Sequence, residues 1–274
     1  MDNEPGVSAL RELPKIQLRN VGLLYGDARI LDAVTLDVAP REVVSLLGPS
    51  GCGKTTLLHL IAGLLPPSEG EIIVNGKGVE GPGADRAMVF QDDATFPWMR
   101  VEQNIEYGLK VKRIGGAVRR QLVDEILAVV GLDASRKLYP RQLSGGMRKR
   151  VDLARALAVE PDVLLMDEPY AALDAMTKER LQLEFLAIQE KVAMTVVFVT
   201  HDLEEALFVG DRVVTMGTEP GHVTGALAVP FRRPRSSELK LSQEFQALRG
   251  ELVLRLGEAS PPASGYRSTD PSNP

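Results

Sequence analysis

The chain has 274 residues, 44% of them hydrophobic and 25% charged, and a formal net charge of −5 at pH 7. This size allows one large domain or two small ones, and the mild negative charge argues against a nucleic-acid binder that relies on bulk positive charge. The single cysteine, Cys52, excludes an internal disulfide framework and cannot form a zinc site alone, which fits a reducing cytosol. No run approaches the ~20 apolar residues of a membrane-spanning helix. The acidic N-terminus lacks the apolar core of a signal peptide, so we expect any membrane role to be peripheral.

Both ends of the chain are predicted to lie outside the main domain. Residues 1–14 form a loose leader in this interpretation, and the segment Gly257–Pro274 is dense in proline, serine and small polar residues. Such a composition cannot bury enough apolar surface to offset the entropy lost on ordering, so we expect a disordered tail. The main domain is therefore predicted to span residues 15–256.

Between these ends, short apolar runs alternate with longer helical patterns, which predicts an α/β domain. Several runs are too uniformly apolar to have a solvated face, as expected of strands that are covered on both sides. The predicted strands are Val43–Leu47, Ile72–Val74, Met88–Phe90, Val163–Met166, Val196–Val199 and Val213–Met216. The predicted helices are Thr55–Ala62, Arg119–Val130, Gly145–Val159, Ala175–Val192 and Leu203–Leu207. The stretch from about Asp92 to Arg155 has few strand signals, and we interpret it as an inserted helical subdomain.

The first predicted strand leads directly into a phosphate-loop pattern, G-x-x-x-x-G-K-[ST]. Glycines let successive N–H groups converge on phosphate oxygens. A lysine can reach the β- and γ-phosphates, and a threonine hydroxyl suits Mg²⁺. A chance glycine-rich turn is disfavoured because the pattern lies between a predicted strand and a predicted helix. Cys52 is interpreted as a small inert filler of the loop, in preference to an oxidation-sensitive thiol. The nucleotide-binding residues predicted here are Gly48, Pro49, Ser50, Gly51, Cys52, Gly53, Lys54, Thr55 and Thr56.

A second acidic site follows the apolar run Val163–Met166. Asp167 stands at the end of this predicted strand, where a carboxylate can hold Mg²⁺ or its water. The adjacent Glu168 could polarise a water for in-line attack on a γ-phosphate. Two ordinary acids at a solvated strand terminus are the alternative, and the phosphate loop upstream favours the functional interpretation.

A further motif resembles the signature of one particular family of ATPases. The segment Leu143–Met147, LSGGM, is followed by a helical pattern and resembles the LSGGQ signature of ABC ATPases. From the residues alone, Ser144, Gly145 and Gly146 open a helix whose N-terminus could bind an anion. A plain helix cap is the alternative, and it can be true at the same time.

Other positions match the same family in the same order. Gln91 resembles the Q-loop glutamine, the segment from Ala172 to Asp174 resembles the D-loop, and His201 resembles the switch histidine. Tyr25 stands where the family stacks an aromatic ring on adenine. The resemblance covers about residues 16–216.

The resemblance implies a fold, a dimer and a mechanism. The fold is the α/β P-loop core of ABC ATPases with a helical subdomain at about residues 92–155 and an N-terminal antiparallel β element. Two subunits, expected to be identical, would sandwich two ATP molecules, each bound between the phosphate loop of one and the signature residues of the other. Asp174 is a further implied nucleotide-binding residue. The implied catalytic residues are Glu168, His201, Lys54 and Gln91. The implied Mg²⁺ ligands are Thr55, Gln91 and Asp167.

Less universal segments point to one branch of the family. The segment Gly81–Gln91, GPGADRAMVFQ, and the Pro97-Trp98 pair after it resemble the ATPases of nitrate, sulfonate and taurine importers. Phe96 and Trp98 either pack in the core or line the groove that accepts a membrane subunit. Asp152 departs from the family, which often has a small apolar residue there. The arginines Arg232, Arg233 and Arg235 are interpreted as a solvated turn rather than an anion site.

We therefore expect an ATPase on the cytoplasmic face of a bacterial inner membrane. It would drive uptake of a small anionic solute through separate permease subunits, with an extracytoplasmic solute-binding protein and without nucleic acid. The main alternative is the ATPase of an exporter or a lipoprotein-release system. Nothing in the chain names the solute, because the selectivity contacts would lie on other subunits.

Overall fold

A computed structural model describes residues 13–171 and 173–258. The strands are β1 (Ile16–Tyr25), β2 (Ala28–Val38), β3 (Val43–Leu47), β4 (Glu69–Val74), β5 (Lys77–Gly78), β6 (Arg86–Val89), β7 (Val163–Asp167), β8 (Thr195–Thr200), β9 (Arg212–Gly217) and β10 (His222–Ala228). The α-helices are α1 (Lys54–Ala62), α2 (Val101–Val111), α3 (Gly116–Val130), α4 (Gly145–Ala158), α5 (Ala175–Val192), α6 (Leu203–Val209) and α7 (Gln243–Glu258). This order of strands and helices confirms the predicted α/β class. No helix within the described ranges is long and apolar enough to cross a membrane.

The central sheet has six strands in the order β10-β9-β3-β8-β7-β6, and every neighbouring pair except β10 with β9 is parallel. Every residue of β3, β7 and β8 is buried, as the uniformly apolar runs predicted. Leu47 pairs with Thr200, and Asp167 pairs with Val199. The carboxyl ends of these strands therefore lie at one edge of the sheet, which is where ligands bind in open parallel sheets.

Alternate residues of the same strand serve two cores. Val163 and Leu165 of β7 pack in the core that β1, β2 and α1 cover. Leu164 and Met166 pack in the opposite core, with α4, α5 and α6. Because side chains alternate along a strand, a buried strand needs apolar residues at every position.

A smaller sheet with the order β2-β1-β4-β5 is antiparallel throughout. It is the N-terminal antiparallel element that the family resemblance implied. The predicted strand at Ile72–Val74 belongs to this sheet, as part of β4. Leu31 of β2 lies beside the phosphate loop, since a Cβ at Gly53 would come within 2.6 Å of a Leu31 methyl group.

The helices α2, α3 and α4 pack against one another beside the central sheet. The helix α2 was not predicted as an element of its own, although its buried residues Val101, Ile105 and Leu109 have helical spacing. The subdomain boundaries near residues 92 and 155 stay a prediction, and α4 itself continues to Ala158.

Beyond β10 the chain forms a C-terminal arm, which we define as residues 229–258. It holds a short 3-10 helix at Ser237–Leu241 and then α7, neither of which we predicted. The predicted tail begins at Gly257, whereas α7 continues to Glu258, and the domain boundary at residue 256 stays a prediction. The rest of the predicted tail, and residues 1–12 of the predicted leader, lie outside the described residues.

Two of the three arginines in this arm contradict the predicted solvated turn. Arg235 is only 6% exposed, and Arg233 is partly buried, while Arg232 is exposed. Both inward-facing guanidinium groups donate hydrogen bonds to backbone carbonyls near the end of α6. Carbonyl groups at a helix end lack partners within the helix, which gives these arginines a structural use that their spacing did not reveal.

Candidate functional site

The phosphate loop connects β3 to α1 at the carboxyl edge of the central sheet. Gly51 and Gly53 have φ angles of 82° and 90°, in the left-handed region that favours glycine. Gly48 is enclosed instead, because a Cβ there would lie 2.7 Å from the Met216 carbonyl oxygen. The loop thus packs closely against β9 at Gly48, while Pro49, Ser50 and Thr55 are exposed and Thr56 is partly buried.

Lys54 is buried inside this loop at 5% exposure. Its ammonium group donates to the carbonyl oxygens of Gly48 and Pro49 at 2.8 and 2.9 Å. Cys52 is also buried, with its sulfur 3.8 Å from the same ammonium. This packing favours the interpretation of Cys52 as a filler of the loop.

Oxygen ligands for a hard cation meet at the start of α1. The Thr55 hydroxyl donates to a carboxylate oxygen of Asp167 at 3.0 Å. Burial raises the pKa of Asp167 above its ordinary value. Among the described residues, no group of three or more His, Cys, Asp or Glu side chains could hold a metal. A Mg²⁺ ion held by this pair would therefore need further oxygens from phosphate or water.

Glu168 and His201 meet beside this pair. The imidazole Nδ1 of His201 lies 3.0 Å from a carboxylate oxygen of Glu168. Glu168 has a φ angle of 40°, a strained value for a residue with a side chain, and its N–H donates to Val199. The turn after β7 thus aims the carboxylate toward the end of β8.

The signature residues begin α4. Ser144 is exposed and caps the helix by accepting a hydrogen bond from the N–H of Met147. Gly146 is buried, and a Cβ there would lie 2.7 Å from a methyl group of Thr177 at the start of α5. Gly145 has more room, with Leu173 at 3.6 Å. The signature helix therefore packs directly on the helix that follows the D-loop.

The D-loop ends at Asp174, which is the N-terminal cap of α5. Asp174 is exposed, and its carboxylate accepts a hydrogen bond from the N–H of Thr177 at 3.0 Å. Hydrogen bonds from this helix start lower the pKa of Asp174. Ala172, the first residue of the predicted D-loop, lies outside the described residues.

Tyr25 lies at the end of β1 and is 59% exposed. It pairs with Ala28 across a tight turn, and the following strand carries Leu31 to the phosphate loop. An exposed ring is free to stack on a base, as the prediction for Tyr25 requires.

The segment around Gln91 is held by α4, which sequence reasoning missed. Lys149 donates to the carbonyl oxygens of Phe90 and Gln91 at 3.3 and 2.5 Å. Asp152 accepts from the N–H of Ala94, and Arg155 donates to the carbonyl oxygen of the same residue. The Gln91 side chain itself is exposed. The departure from the family at Asp152 thus has a structural use in fixing this loop.

A groove of about 190 Å³ lies between this loop, α2 and α4. Phe96 lies near it and is partly buried. Its ring centre is 4.7 Å from the ring centre of Tyr107 and 4.4 Å from the guanidinium carbon of Arg155. Trp98 contacts Phe96 at 5.6 Å but remains 69% exposed. Core packing therefore describes Phe96 and not Trp98.

The fold and the residues at the carboxyl edge of the central sheet together define a class of protein. A phosphate loop, a hydroxyl–carboxylate pair and a second carboxylate beside an imidazole are the parts from which ATP-hydrolysing domains are built.

Comparison with known proteins identifies the family. The family model described as ABC transporter matches residues 31–171. The chain is 46% identical to the taurine import ATP-binding protein TauB of Rhizobium johnstonii over 81% of this chain and 87% of that protein. It is 40% identical to TauB of Escherichia coli O157:H7 over 89% of this chain and 97% of that protein.

Solved structures agree. A dimeric ATP-binding cassette in a post-hydrolysis state, bound to ADP and Pi, matches with a TM-score of 0.70 and 33% identity over 79% of this chain and 100% of that chain. The protein cbiO1 of Clostridium perfringens, part of an ABC transporter complex, matches with a TM-score of 0.75 and 26% identity over 90% of this chain and 98% of that chain. The chain belongs to the ABC transporter family, as its ATP-binding and ATP-hydrolysing subunit.

Proposed function

We propose that this subunit powers uptake of a small anionic solute, of the taurine or sulfonate kind, through separate permease subunits. The identity of 46% to a protein named for taurine import supports the direction of transport and the class of solute. The pairing of His201 with Glu168 next to the phosphate loop carries the proposal that hydrolysis drives the cycle. An extracytoplasmic binding protein would deliver the solute to the permease.

At the site, Mg²⁺ would be held by Thr55 and Asp167, whose oxygens already lie 3.0 Å apart, with Gln91 as a further ligand. The metal supplies charge neutralisation on the phosphates when it is bound. Lys54 holds the β- and γ-phosphates, Glu168 orients the attacking water, and His201 holds the γ-phosphate. Tyr25 provides the stacking surface for adenine.

The complete site needs two subunits. Ser144 and Asp174 are exposed caps at two helix starts, and their exposure supports contact with the nucleotide bound to a second copy. The N–H groups at the start of α4 and the helix dipole favour the negative charge of phosphate there. The dimeric state of the ADP-bound cassette is consistent with this arrangement.

The protein is proposed to work at the cytoplasmic face of the inner membrane, held there by its permease. The exposed ring of Trp98 supports this, because a large exposed aromatic side chain is typical of an interface anchor. A helix of the permease is the partner that a groove between α2 and α4 would fit.

One experiment tests the direction and the solute together. The gene is deleted in its source organism, and uptake of radiolabelled taurine, alkanesulfonates and nitrate is measured. We expect loss of uptake of one of these solutes, restored by the parent gene and not by Lys54→Ala. Normal uptake of the whole panel would favour an exporter or another cargo, and the ATPase assignment would be unaffected.

A further inference from the structure

The helix α6 begins two residues after His201, so its position determines where the imidazole lies. At its N-terminal end, Lys178 of α5 forms an ion pair with Asp202 at 2.7 Å and approaches Glu205 at 3.4 Å. Lys240 of the C-terminal arm forms an ion pair with Glu204 at 3.1 Å. The ammonium of Lys240 also lies 4.5 Å from the centre of the Phe208 ring.

The other end of α6 is held by the same arm. Arg235 donates to the carbonyl oxygens of Phe208 and Gly210, both at 2.8 Å. Arg233 donates to the carbonyl oxygen of Val209 at 3.1 Å and to Asp211 at 2.9 Å. The carbonyl groups that end α6 therefore receive their hydrogen bonds from residues of the arm.

The arm is itself fixed. The ring of Phe231 stacks on the buried Phe245 of α7 at 5.7 Å, and the Phe231 carbonyl accepts two bonds from Arg235. Asp211, which contacts both arginines, also accepts from the N–H of Val43 in β3. The arm thus joins the end of α6 to the strand that leads into the phosphate loop.

We infer that the C-terminal arm is a positioning element for hydrolysis, in which Arg235 and Lys240 hold α6 so that His201 is aligned with Glu168 and the γ-phosphate. This inference rests on the proposed role of His201. Neither residue contacts the nucleotide; both act through α6. An error of 1 Å in the placement of a catalytic group can cost about 100-fold in rate, so the contacts that fix α6 can have a large effect on hydrolysis.

The chemistry of Arg235 supports the assignment. A guanidinium can donate five hydrogen bonds in a fixed plane, so Arg235 can serve several carbonyl groups at once, and lysine cannot reproduce this pattern. Burial lowers the pKa of Arg235 to about 10, which still leaves it charged at neutral pH. A buried charge is costly unless it is fully paired, so its many contacts indicate a strongly determined position.

The test uses the full-length protein with Arg235→Lys and Lys240→Met, and Arg249→Met as the matched control. Arg249 is an exposed cation of the same arm that forms no ion pair with another described residue. Circular dichroism confirms that each variant is folded. Steady-state ATP hydrolysis is then measured for each variant in the parent and in the His201→Ala background. The ring ¹⁵N shifts of His201 are recorded at one pH, which is practical because the chain has three histidines.

We expect Arg235→Lys and Lys240→Met to lower kcat between about 5- and 100-fold, with KM for ATP within about 2-fold. The control should change neither value. In the His201→Ala background the same substitutions should cost nothing more, and the ring shifts of His201 should move in both arm variants.

Two results separate the failure of this inference from the failure of the proposed function. Unchanged ring shifts, or an undiminished loss of kcat in the His201→Ala background, would overturn the positioning role. A different result would be that His201→Ala hydrolyses ATP at the parent rate while the His201 ring shifts still move in the arm variants. The proposed role of His201 would then be wrong, but the arm would still position α6.

Discussion

The imidazole Nδ1 of His201 lies 3.0 Å from the carboxylate of Glu168, and the two residues directly follow the neighbouring parallel strands β8 and β7. Glu168 has a φ angle of 40°, so the backbone itself bears strain to place this carboxylate. Strain of this kind persists only when surrounding contacts determine it, and here the N–H of Glu168 is bonded to Val199 of β8. The pair is therefore built by the central sheet.

Replacing Glu168 with glutamine tests its proposed role as the group that orients water. The amide keeps the size of the side chain but is a poor proton acceptor, so we expect kcat to fall by at least about 100-fold. ATP binding should persist, and the variant should accumulate as an ATP-bound dimer in size-exclusion chromatography. Hydrolysis at the parent rate would show that another group activates the water.

Asp152 should make stability depend on pH. Burial raises its pKa to about 6, above the ordinary value of 3.8, despite the nearby Lys149 and Arg155. The folded state then holds a proton that the unfolded state releases, so the free energy of unfolding falls as pH rises from about 4 to about 6, by on the order of 3 kcal/mol.

The variant Asp152→Asn lacks this titration. Its stability relative to the parent should therefore increase as pH rises from about 4 to 6 and stay level above that range. Urea unfolding at several pH values measures the difference, with Asp133→Asn, an exposed aspartate, as the control. A difference between Asp152→Asn and parent that does not vary with pH would contradict the prediction.

Substitutions of Phe96 and Trp98 should affect two different properties: the stability of the fold at Phe96, and docking to the permease at Trp98. Phe96 is packed by Tyr107 and Arg155, so Phe96→Ala should lower the melting temperature, while Trp98→Ala should leave it unchanged because the ring is 69% exposed. Trp98 is the chain's single tryptophan, so iodide quenching of fluorescence reports its exposure directly. Strong protection from iodide in the isolated protein would refute the exposed position. In cells, Trp98→Ala should reduce solute uptake, while the affinity of the protein for ATP should fall less.

The contact between the signature helix and α5 can be tested with a matched pair of glycine variants. A Cβ at Gly146 would lie 2.7 Å from the Thr177 methyl group, so Gly146→Ala should destabilise the fold by about 1–3 kcal/mol. Gly145→Ala should cost little, because its nearest neighbour lies at 3.6 Å. Thr177→Ser removes the methyl group and should restore most of the loss at Gly146. Chemical denaturation measures all of these, and an equal loss for both glycines would refute the steric explanation.

Much of the core and of the site could be predicted from short segments of sequence. The helix Ala175–Val192 and the strand Val43–Leu47 have the predicted bounds, since continuous apolar runs and helical periodicity reflect local structure. The phosphate loop was predictable for the same reason, because its function depends on backbone conformations that glycine permits at fixed spacing.

Other elements depended on partners distant in the sequence. In the smaller sheet only part of β4 was predicted from its residues. The strands β1, β2 and β5 were not, since β1 owes its register to β2 and β4. The arginines at 233 and 235 look like a solvated turn in the sequence. They are instead drawn inward by the carbonyl groups at the end of α6.

The sequence by itself determined which residues could carry phosphate chemistry, because the ligands of ATP are supplied by short contiguous motifs. The tertiary structure decided which of those motifs meet: it brought Thr55 to Asp167, Glu168 to His201, and Asp152 to the loop at Ala94. The physical reason is that these pairs join side chains 33 to 112 residues apart. Only the packing of whole strands and helices sets such distances, and no local pattern records them.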